Sequence, residues 1–149
     1  MFSDSKNIEK LRSLVDNLPI RDAETFEMVE ILKLALEHTT DGYWDWDMLT
    51  NYVYISPSLK LQLGYEDNEM ENSLSSWQES IFEEDLERIE LELEKHLNSG
   101  GKEQFKAIAR YRHKDGHTVN ILCRAGVVKW DDKGNPIRMF GTHIDITDL

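Results

Sequence analysis

The sequence has a single cysteine, Cys123, among its 149 residues. One cysteine cannot form an internal disulfide, which favours a reduced, cytosolic setting. Apolar runs are short, and none approaches the ~20 residues that a helix needs to cross a bilayer. The amino terminus lacks the apolar core and cleavage site of a signal peptide. The sequence therefore predicts a cytoplasmic location without membrane insertion.

Positive charge is also scarce. The chain has 17 Lys and Arg against 29 Asp and Glu, a formal net charge of −12. The net negative charge repels nucleic acid phosphates and anionic lipid head groups, so neither is expected as a partner. What the sequence does have, 40% hydrophobic and 31% charged residues, is typical of a soluble globular protein.

Signatures of catalysis and of metal binding are missing as well. There is no glycine-rich phosphate loop, nucleophile elbow or nucleotide fingerprint. The carboxylates over residues 83–94, Asp85 included, are predicted on the exposed face of a helix, whereas a general acid needs a buried, perturbed pair. His113 and His117 flank a predicted hairpin turn, where polar residues are expected anyway, and His143 has no convincing ligand pair. We expect neither an enzyme nor a metal protein.

Hydrophobic periodicity divides the chain near residue 38. Apolar residues recur every three or four positions over 4–18 and 22–38, which predicts two helices separated at Pro19. The second helix is apolar on more than one stripe, so it packs either on the chain's own sheet or on a partner. We assign residues 1–38 to a helical extension that supports a homodimer, and residues 39–149 to a second domain.

The second domain has strands at both ends and helices between them. Period-two alternation predicts the strands. Ser56-Pro57 suits the start of a helix and Gly64 its end. This order predicts an α+β domain with one antiparallel sheet. The predicted elements are strands over 43–48 and 52–55, helices over 57–63 and 83–97, and strands over 105–111, 119–130 and 137–146.

Several motifs follow one another through this domain. They are Gly42-Tyr43-Trp44-Asp45-Trp46-Asp47, Tyr54-Ile55-Ser56-Pro57, Leu63-Gly64-Tyr65, Phe82-Glu83-Glu84-Asp85, Tyr111-Arg112-His113-Lys114-Asp115-Gly116 and Gly141-Thr142-His143-Ile144-Asp145-Ile146-Thr147. Their order and spacing over residues 38–147 resemble a PAS domain with a C-terminal PAC segment. The chain departs from the family at Asn120, where such domains usually carry tryptophan, and at residues 82–85, where they usually read His-Pro-Asp-Asp.

The resemblance implies a five-stranded antiparallel sheet of order 2-1-5-4-3 with helices on one face. It also implies a bacterial-type sensory module that signals to an output domain, a kinase or a cyclic-di-nucleotide enzyme, beyond Leu149. Thr147 suits the N-cap of a following helix, so an end at this junction suggests a fragment or a stand-alone module. Asp145 and Thr147 are expected to form the output joint, or else simply to cap the strand.

A pocket is expected on the face of the sheet that the helices cover. Ala107 and Ala109 are small and leave volume for a ligand, with Trp46, Tyr54 and Phe105 as walls. Alternatively the tryptophans fill this volume, and the domain is a ligand-free scaffold for dimer assembly. A small hydrolase or isomerase would need a titratable group of shifted pKa at the cavity centre. The candidate lining residues are Trp44, Trp46, Tyr54, Leu63, Leu86, Ile89, Phe105, Ala107, Ile121, Cys123, Phe140 and Thr142.

Neither haem nor flavin is supported as a cofactor. A haem-binding member would need an axial histidine that faces the pocket from the long helix. His96 lies near the end of that helix and is predicted to face solvent or the helix dipole. Flavin photosensors of the related light-sensing class need a reactive cysteine in a helical motif. Cys123 lies in a predicted strand and is expected to be a small buried hydrophobe.

Overall fold

The computed structural model describes residues 41–148, together with residues 27, 30–32 and 34. The chain separates into two compact units between Thr40 and Asp41. The described residues of the first unit are helical. The predicted helix over 4–18 and most of the one over 22–38 lie outside the described residues.

The second unit is built on one five-stranded sheet. The strands pair in the order β2-β1-β5-β4-β3, and every pair is antiparallel. The predicted fold is therefore confirmed, including the placement of the amino-terminal hairpin beside the last strand. The strands are β1 (Gly42–Asp47), β2 (Tyr52–Ile55), β3 (Phe105–Arg112), β4 (Thr118–Trp130) and β5 (Pro136–Asp145).

Three helices and one 3₁₀ turn connect β2 to β3. The predictions over 57–63 and 83–97 are confirmed to within one residue, and the stretch between them holds two short elements. None of the described helices is long and apolar enough to cross a membrane. The helices are α1 (Pro57–Gln62), α2 (Leu74–Ser80) and α3 (Glu83–Asn98), with the 3₁₀ turn at Asp67–Glu69.

Ser56 fixes the start of α1 and its contact with the sheet. Its Oγ accepts the Leu59 N–H at 3.2 Å, as expected of an N-cap, and also the Tyr43 N–H of β1 at 2.9 Å. The helix lies directly on β1, because a Cβ at Gly42 would be 2.6 Å from the Leu59 Cα. At the other end Gly64 adopts a φ of +83°, which glycine tolerates best.

The core lies between the helices and one face of the sheet, which we call the inner face. Residues directly opposite in an antiparallel pair share a face. Trp44 opposes Ile55 and Gly141, and Trp46 opposes Val53 and Met139, so all of these belong to the inner face. On β3 every second residue from Phe105 to Tyr111 is buried. This face packs on buried side chains of α1 and α3.

Asp85 corrects the prediction of a uniformly exposed acidic helix. It is only 7% exposed, and its Oδ2 accepts the Arg110 backbone N–H at 2.7 Å. The Arg110 guanidinium donates to both carboxylate oxygens at 2.9 and 3.0 Å. These hydrogen bonds hold the pKa of Asp85 below its ordinary value. Asp85 thus anchors the first turn of α3 on β3, because its carboxylate points at a strand rather than at solvent.

Candidate functional site

An apolar cavity of about 30 Å³ lies between the inner face of the sheet and helices α2 and α3. This is about twice the space that one water molecule needs. A buried water also needs two to four polar partners, and every lining side chain is predominantly apolar, so the cavity favours an apolar occupant. The lining residues are Trp44, Trp46, Val53, Leu74, Trp77, Ile89, Leu93, Phe105 and Met139.

Four of the twelve predicted pocket residues line this cavity: Trp44, Trp46, Ile89 and Phe105. Five others belong to the same core without lining the cavity. Leu86 is partly buried and packs against the core. The remaining four are buried elsewhere in the core and are Leu63, Ala107, Ile121 and Cys123.

The other three predicted lining residues, Tyr54, Phe140 and Thr142, lie on the opposite, outer face of the sheet. Tyr54 and Phe140 both lie opposite Asp45, and Thr142 lies opposite Tyr43. Their side chains are therefore on the face of the sheet that does not carry Trp44 and Trp46. The outer face holds its own aromatic cluster, with the Tyr43 ring centroid 6.0 Å from Tyr54 and 5.9 Å from Phe140. Because these strands carry large apolar residues on both faces, the hydrophobic pattern alone predicted the wrong face of the sheet for these three residues.

Five lining residues were not among the candidates. Val53 and Met139 each lie one position before a candidate residue, Tyr54 and Phe140 respectively. Strand pairing identifies them, because both lie opposite Trp46. Leu74 and Trp77 stand three residues apart on α2, and Leu93 follows Ile89 by one helical turn. That spacing places each pair on one helix face. The sequence predicts residues 65–82 as an irregular, polar and short-helical stretch anchored by Leu74, Trp77, Ile81 and Phe82, and the structure forms a helix over Leu74–Ser80 within it.

Trp44 packs tightly beside Cys123 and Gly141. A Cβ at Gly141 would overlap carbon atoms of the indole and lie 2.8 Å from its Nε1, so only glycine fits there. Burial raises the pKa of the Cys123 thiol to about 12, and the neighbouring Trp44 side chain offsets this only in part. A neutral strand thiol is not a nucleophile, and it does not fit the reactive helical cysteine of flavin photosensors.

A series of polar contacts connects the cavity wall to β5. The Trp77 indole N–H donates to the Tyr111 hydroxyl at 3.0 Å, and this hydroxyl lies 3.5 Å from His143 Nε2. The rings of Tyr111 and His143 meet edge to face, with centroids 5.3 Å apart. Both residues are 1% exposed. Burial raises the pKa of Tyr111 well above its usual value and lowers that of His143 to about 3, so both are neutral.

His96 is buried, and the prediction that it faces solvent or the helix dipole is wrong. Its Nδ1 lies 2.6 Å from the Glu103 carbonyl, and its Nε2 accepts the Val127 N–H at 3.2 Å. The imidazole thus ties the end of α3 to β4. Because both ring nitrogens are engaged by the backbone, His96 does not fit the role of an axial haem ligand.

Asp145 and Thr147 fasten the end of β5 to the start of β4. Thr147 Oγ1 accepts the Asn120 N–H at 3.0 Å and donates to Asp145 Oδ1. The same carboxylate oxygen accepts the Thr147 N–H at 2.9 Å, and the Ile146 N–H donates to the Asn120 carbonyl. Only the backbone of Asn120 takes part in these bonds, so they do not depend on the tryptophan that is usual there.

Comparisons with known proteins agree with this geometry. A sequence model of the PAS fold matches residues 52–143. The structure of a sensory box histidine kinase/response regulator from Burkholderia thailandensis is 32% identical, with a TM-score of 0.66 over 78% of this chain and 85% of that one. No curated protein sequence matches the chain significantly.

Two further structures show the same fold. The N-terminal domain of a diguanylate cyclase with PAS/PAC sensor from Marinobacter aquaeolei is 28% identical, with a TM-score of 0.60 over 71% of this chain and 94% of that one. A PAS domain from Colwellia psychrerythraea is 17% identical, with a TM-score of 0.65 over 82% of this chain and 99% of that one. With its motifs, its strand order and the match to the PAS model, the chain belongs to the PAS family.

Proposed function

We propose that this PAS domain is a sensory module that binds a small apolar molecule and signals to an adjacent kinase or cyclic-di-nucleotide enzyme domain. The observation that carries the proposal is the apolar cavity between the tryptophans of β1 and helix α2. Relatives of this chain include a sensory histidine kinase and a diguanylate cyclase, which supports a signalling role for the domain. The lone, buried cysteine is in keeping with a cytoplasmic location for this role.

Helix α2 is the part of the cavity wall that a ligand would displace. It has seven residues, none of them fully buried, and a helix this short has little stability of its own. Trp77 belongs to this wall and also donates to Tyr111. A ligand that moves Trp77 would break that hydrogen bond and alter the contact of Tyr111 with His143. His143 lies on β5, the strand that ends at Asp145 and Thr147, so this route leads to the expected output joint.

The proposed role is binding rather than catalysis, as is general for PAS domains. Among the described carboxyl groups, those with a displaced pKa are all lowered by hydrogen bonds, the opposite of what a general acid needs. The strongly shifted histidine, His143, is not among the residues that line the cavity. A hydrolase or isomerase centred on the cavity is therefore not favoured.

Filling the cavity should abolish binding. Leu74→Phe places a larger side chain at the wall, whereas Leu61→Phe makes the same change at an exposed site on α1. Toluene is larger than the empty cavity and would enter only if α2 moves outward, as proposed above. Used as an apolar probe, it is expected to raise the melting temperature of the wild type and of Leu61→Phe. At ten times its Kd it would stabilise the domain by about 1.4 kcal/mol. Leu74→Phe should show no such shift in differential scanning calorimetry.

Two results would contradict ligand binding. One is an equal toluene shift in Leu74→Phe and Leu61→Phe, which would place the probe elsewhere. The other is the absence of any shift in the wild type, for toluene and for a wider panel of small apolar compounds. That second result would favour the alternative, a ligand-free scaffold whose tryptophans fill the core.

We also propose that the amino-terminal helical extension forms a homodimer. Leu32 and Leu34 are helical and more than half exposed. Residues two positions apart lie on different sides of a helix, so each leucine offers a separate apolar contact to a second copy. The double variant Leu32→Asp/Leu34→Asp is expected to be monomeric in sedimentation velocity. Leu49→Asp, at an exposed site in the β1–β2 turn, serves as the control and should stay dimeric with the wild type. A dimeric double variant would show that the interface lies elsewhere.

A further inference from the structure

We propose that the β3–β4 hairpin binds a divalent transition-metal ion, Zn²⁺ in the first instance, through His113, Asp115 and His117. The sequence places these residues two positions apart in a hairpin turn, where polar residues are expected anyway. The structure brings their side chains together, so that one ligand atom from each lies within 4.8 Å of the others. The site is separate from the cavity, and the proposal does not depend on the proposed function.

The spacing of the ligand atoms suits a single metal ion. Asp115 Oδ1 lies 3.1 Å from His113 Nδ1 and is in close contact with His117 Nδ1. In a tetrahedral zinc site with bonds of 2.0–2.1 Å, neighbouring ligand atoms are about 3.3 Å apart. The two imidazole rings stack with centroids 4.1 Å apart and planes 20° apart. Stacked, nearly parallel rings do not direct their in-plane lone pairs at one point, so the two histidine side chains would rotate on ion binding to bring both nitrogens onto the same ion.

The pairing of donors and acceptors leaves room for a cation. His113 Nδ1 accepts the Asp115 backbone N–H at 3.2 Å, so this nitrogen presents a lone pair and not a proton. It nevertheless lies 3.1 Å from a carboxylate oxygen, which also carries lone pairs. Two such atoms repel each other unless they share a positive charge. A metal ion bound to both would replace the Asp115 N–H as the partner of the single Nδ1 lone pair and would remove this repulsion. Neutral imidazole is the form that ligates metals.

The hairpin holds the three residues in place. The His113 N–H donates to the His117 carbonyl at 2.9 Å, and the His117 N–H donates to Asp115 Oδ1 at 3.1 Å. The His113 ring packs on Gly64, and the Lys114 N–H donates to the Leu63 carbonyl at 2.8 Å. These contacts preorganise the ligands, which lowers the cost of binding.

Access and ligand chemistry decide which ion fits. The side chains of His117 and Asp115 are 56% and 62% exposed, so an ion can enter from solvent and keep a water as its fourth ligand. Two imidazole nitrogens and one carboxylate suit Zn²⁺, Co²⁺, Ni²⁺ or Cu²⁺. Mg²⁺ and Ca²⁺ prefer oxygen ligands throughout and are expected to bind far more weakly.

The test is calorimetric titration of the full, untagged, chelator-treated chain with ZnCl₂. We expect one ion per chain, and an affinity lowered about tenfold or more in both His117→Gln and Asp115→Asn. Asp132→Asn, an exposed turn residue of the other hairpin, is the matched control and should bind as the wild type does. Co²⁺ should give the visible absorption of a nitrogen- and oxygen-ligated ion in the wild type and in Asp132→Asn only.

Circular dichroism of each variant checks that the exposed substitutions leave the fold intact. The proposal is overturned if the wild type binds no Zn²⁺, or if His117→Gln and Asp115→Asn bind it as tightly as Asp132→Asn does. Binding of Mg²⁺ as tight as that of Zn²⁺ would overturn it too, because that result would indicate general attraction to the acidic surface.

Discussion

Gly141→Ala is expected to lower the free energy of unfolding by about 2–3 kcal/mol, the upper part of the range for an overpacked core. The added Cβ would overlap carbon atoms of the Trp44 indole. Trp44 is 7% exposed and packs beside Cys123, so the ring has little room to withdraw. Since Trp44 also lines the cavity, any displacement of the ring should change toluene binding as well. Urea denaturation monitored by tryptophan fluorescence measures the loss of stability.

The matched control for this experiment is Gly126→Ala. Gly126 opposes Phe140 on the adjoining strand, next to the Gly141–Ala125 pair, and among the described residues no atom lies within 4 Å of a Cβ placed there. The control should be neutral or stabilise the domain by about 0.5 kcal/mol, because alanine restricts the unfolded chain. Equal losses in both variants would show that the cost comes from the strand backbone and not from the tryptophan.

The second large effect is a loss of stability in acid that originates at His143. In the unfolded chain this imidazole takes up a proton near pH 6.5, whereas burial lowers its pKa in the folded domain to about 3. Between these values the unfolded state binds the extra proton, so stability falls as the pH falls. The slope from this one residue approaches about 1.4 kcal/mol per pH unit.

The surroundings of His143 explain why the folded state resists protonation. Its ring contacts Tyr111, and it opposes Cys123 on β4; both of these groups are neutral. Within the described part of the chain, its Nδ1 has no hydrogen-bond partner. Neither of these described neighbours carries a negative charge that would stabilise an imidazolium ion, and burial disfavours the charged form.

Urea denaturation from pH 7 to pH 3.5 should isolate this contribution. In His143→Leu this residue no longer contributes to the slope of the free energy of unfolding against pH. We therefore expect the variant to lose less stability in acid than the wild type. Met139→Leu, a volume-conserving change on the same face of β5, should retain the wild-type slope. A slope unchanged in His143→Leu would mean that other groups cause the acid sensitivity.

Much of the domain could be predicted because its local signals agree with the final fold. Ser56-Pro57 begins a helix and Gly64 ends it, since an N-cap hydroxyl and a left-handed φ act within a few residues. Alternation along β3 correctly placed Ala107 and Phe105 on the inner face, because that strand carries small or apolar residues there and mostly polar ones outside. Where one face is apolar and the other polar, period alone is sufficient.

The errors arose where a residue's role depends on a distant partner. Asp85 is buried because Arg110, 25 positions later, donates to it, and nothing near Asp85 in the chain signals this. His96 is buried for the same kind of reason, through Val127 on β4. Tyr54 and Phe140 were assigned to the wrong face because both faces of their strands carry large apolar residues, and only pairing with β1 determines which face is buried.

The amino-acid sequence by itself determined the kinds of element, their order and the family resemblance, because propensity, capping and alternation act over short separations. Only the tertiary structure decided which side chains enclose the cavity and that Tyr111 connects Trp77 to His143. It also brought His113, Asp115 and His117 together. Those arrangements follow from strand register and helix docking. A shift of one residue in register would exchange the two faces of the sheet, and the register is set jointly by residues far apart in the chain.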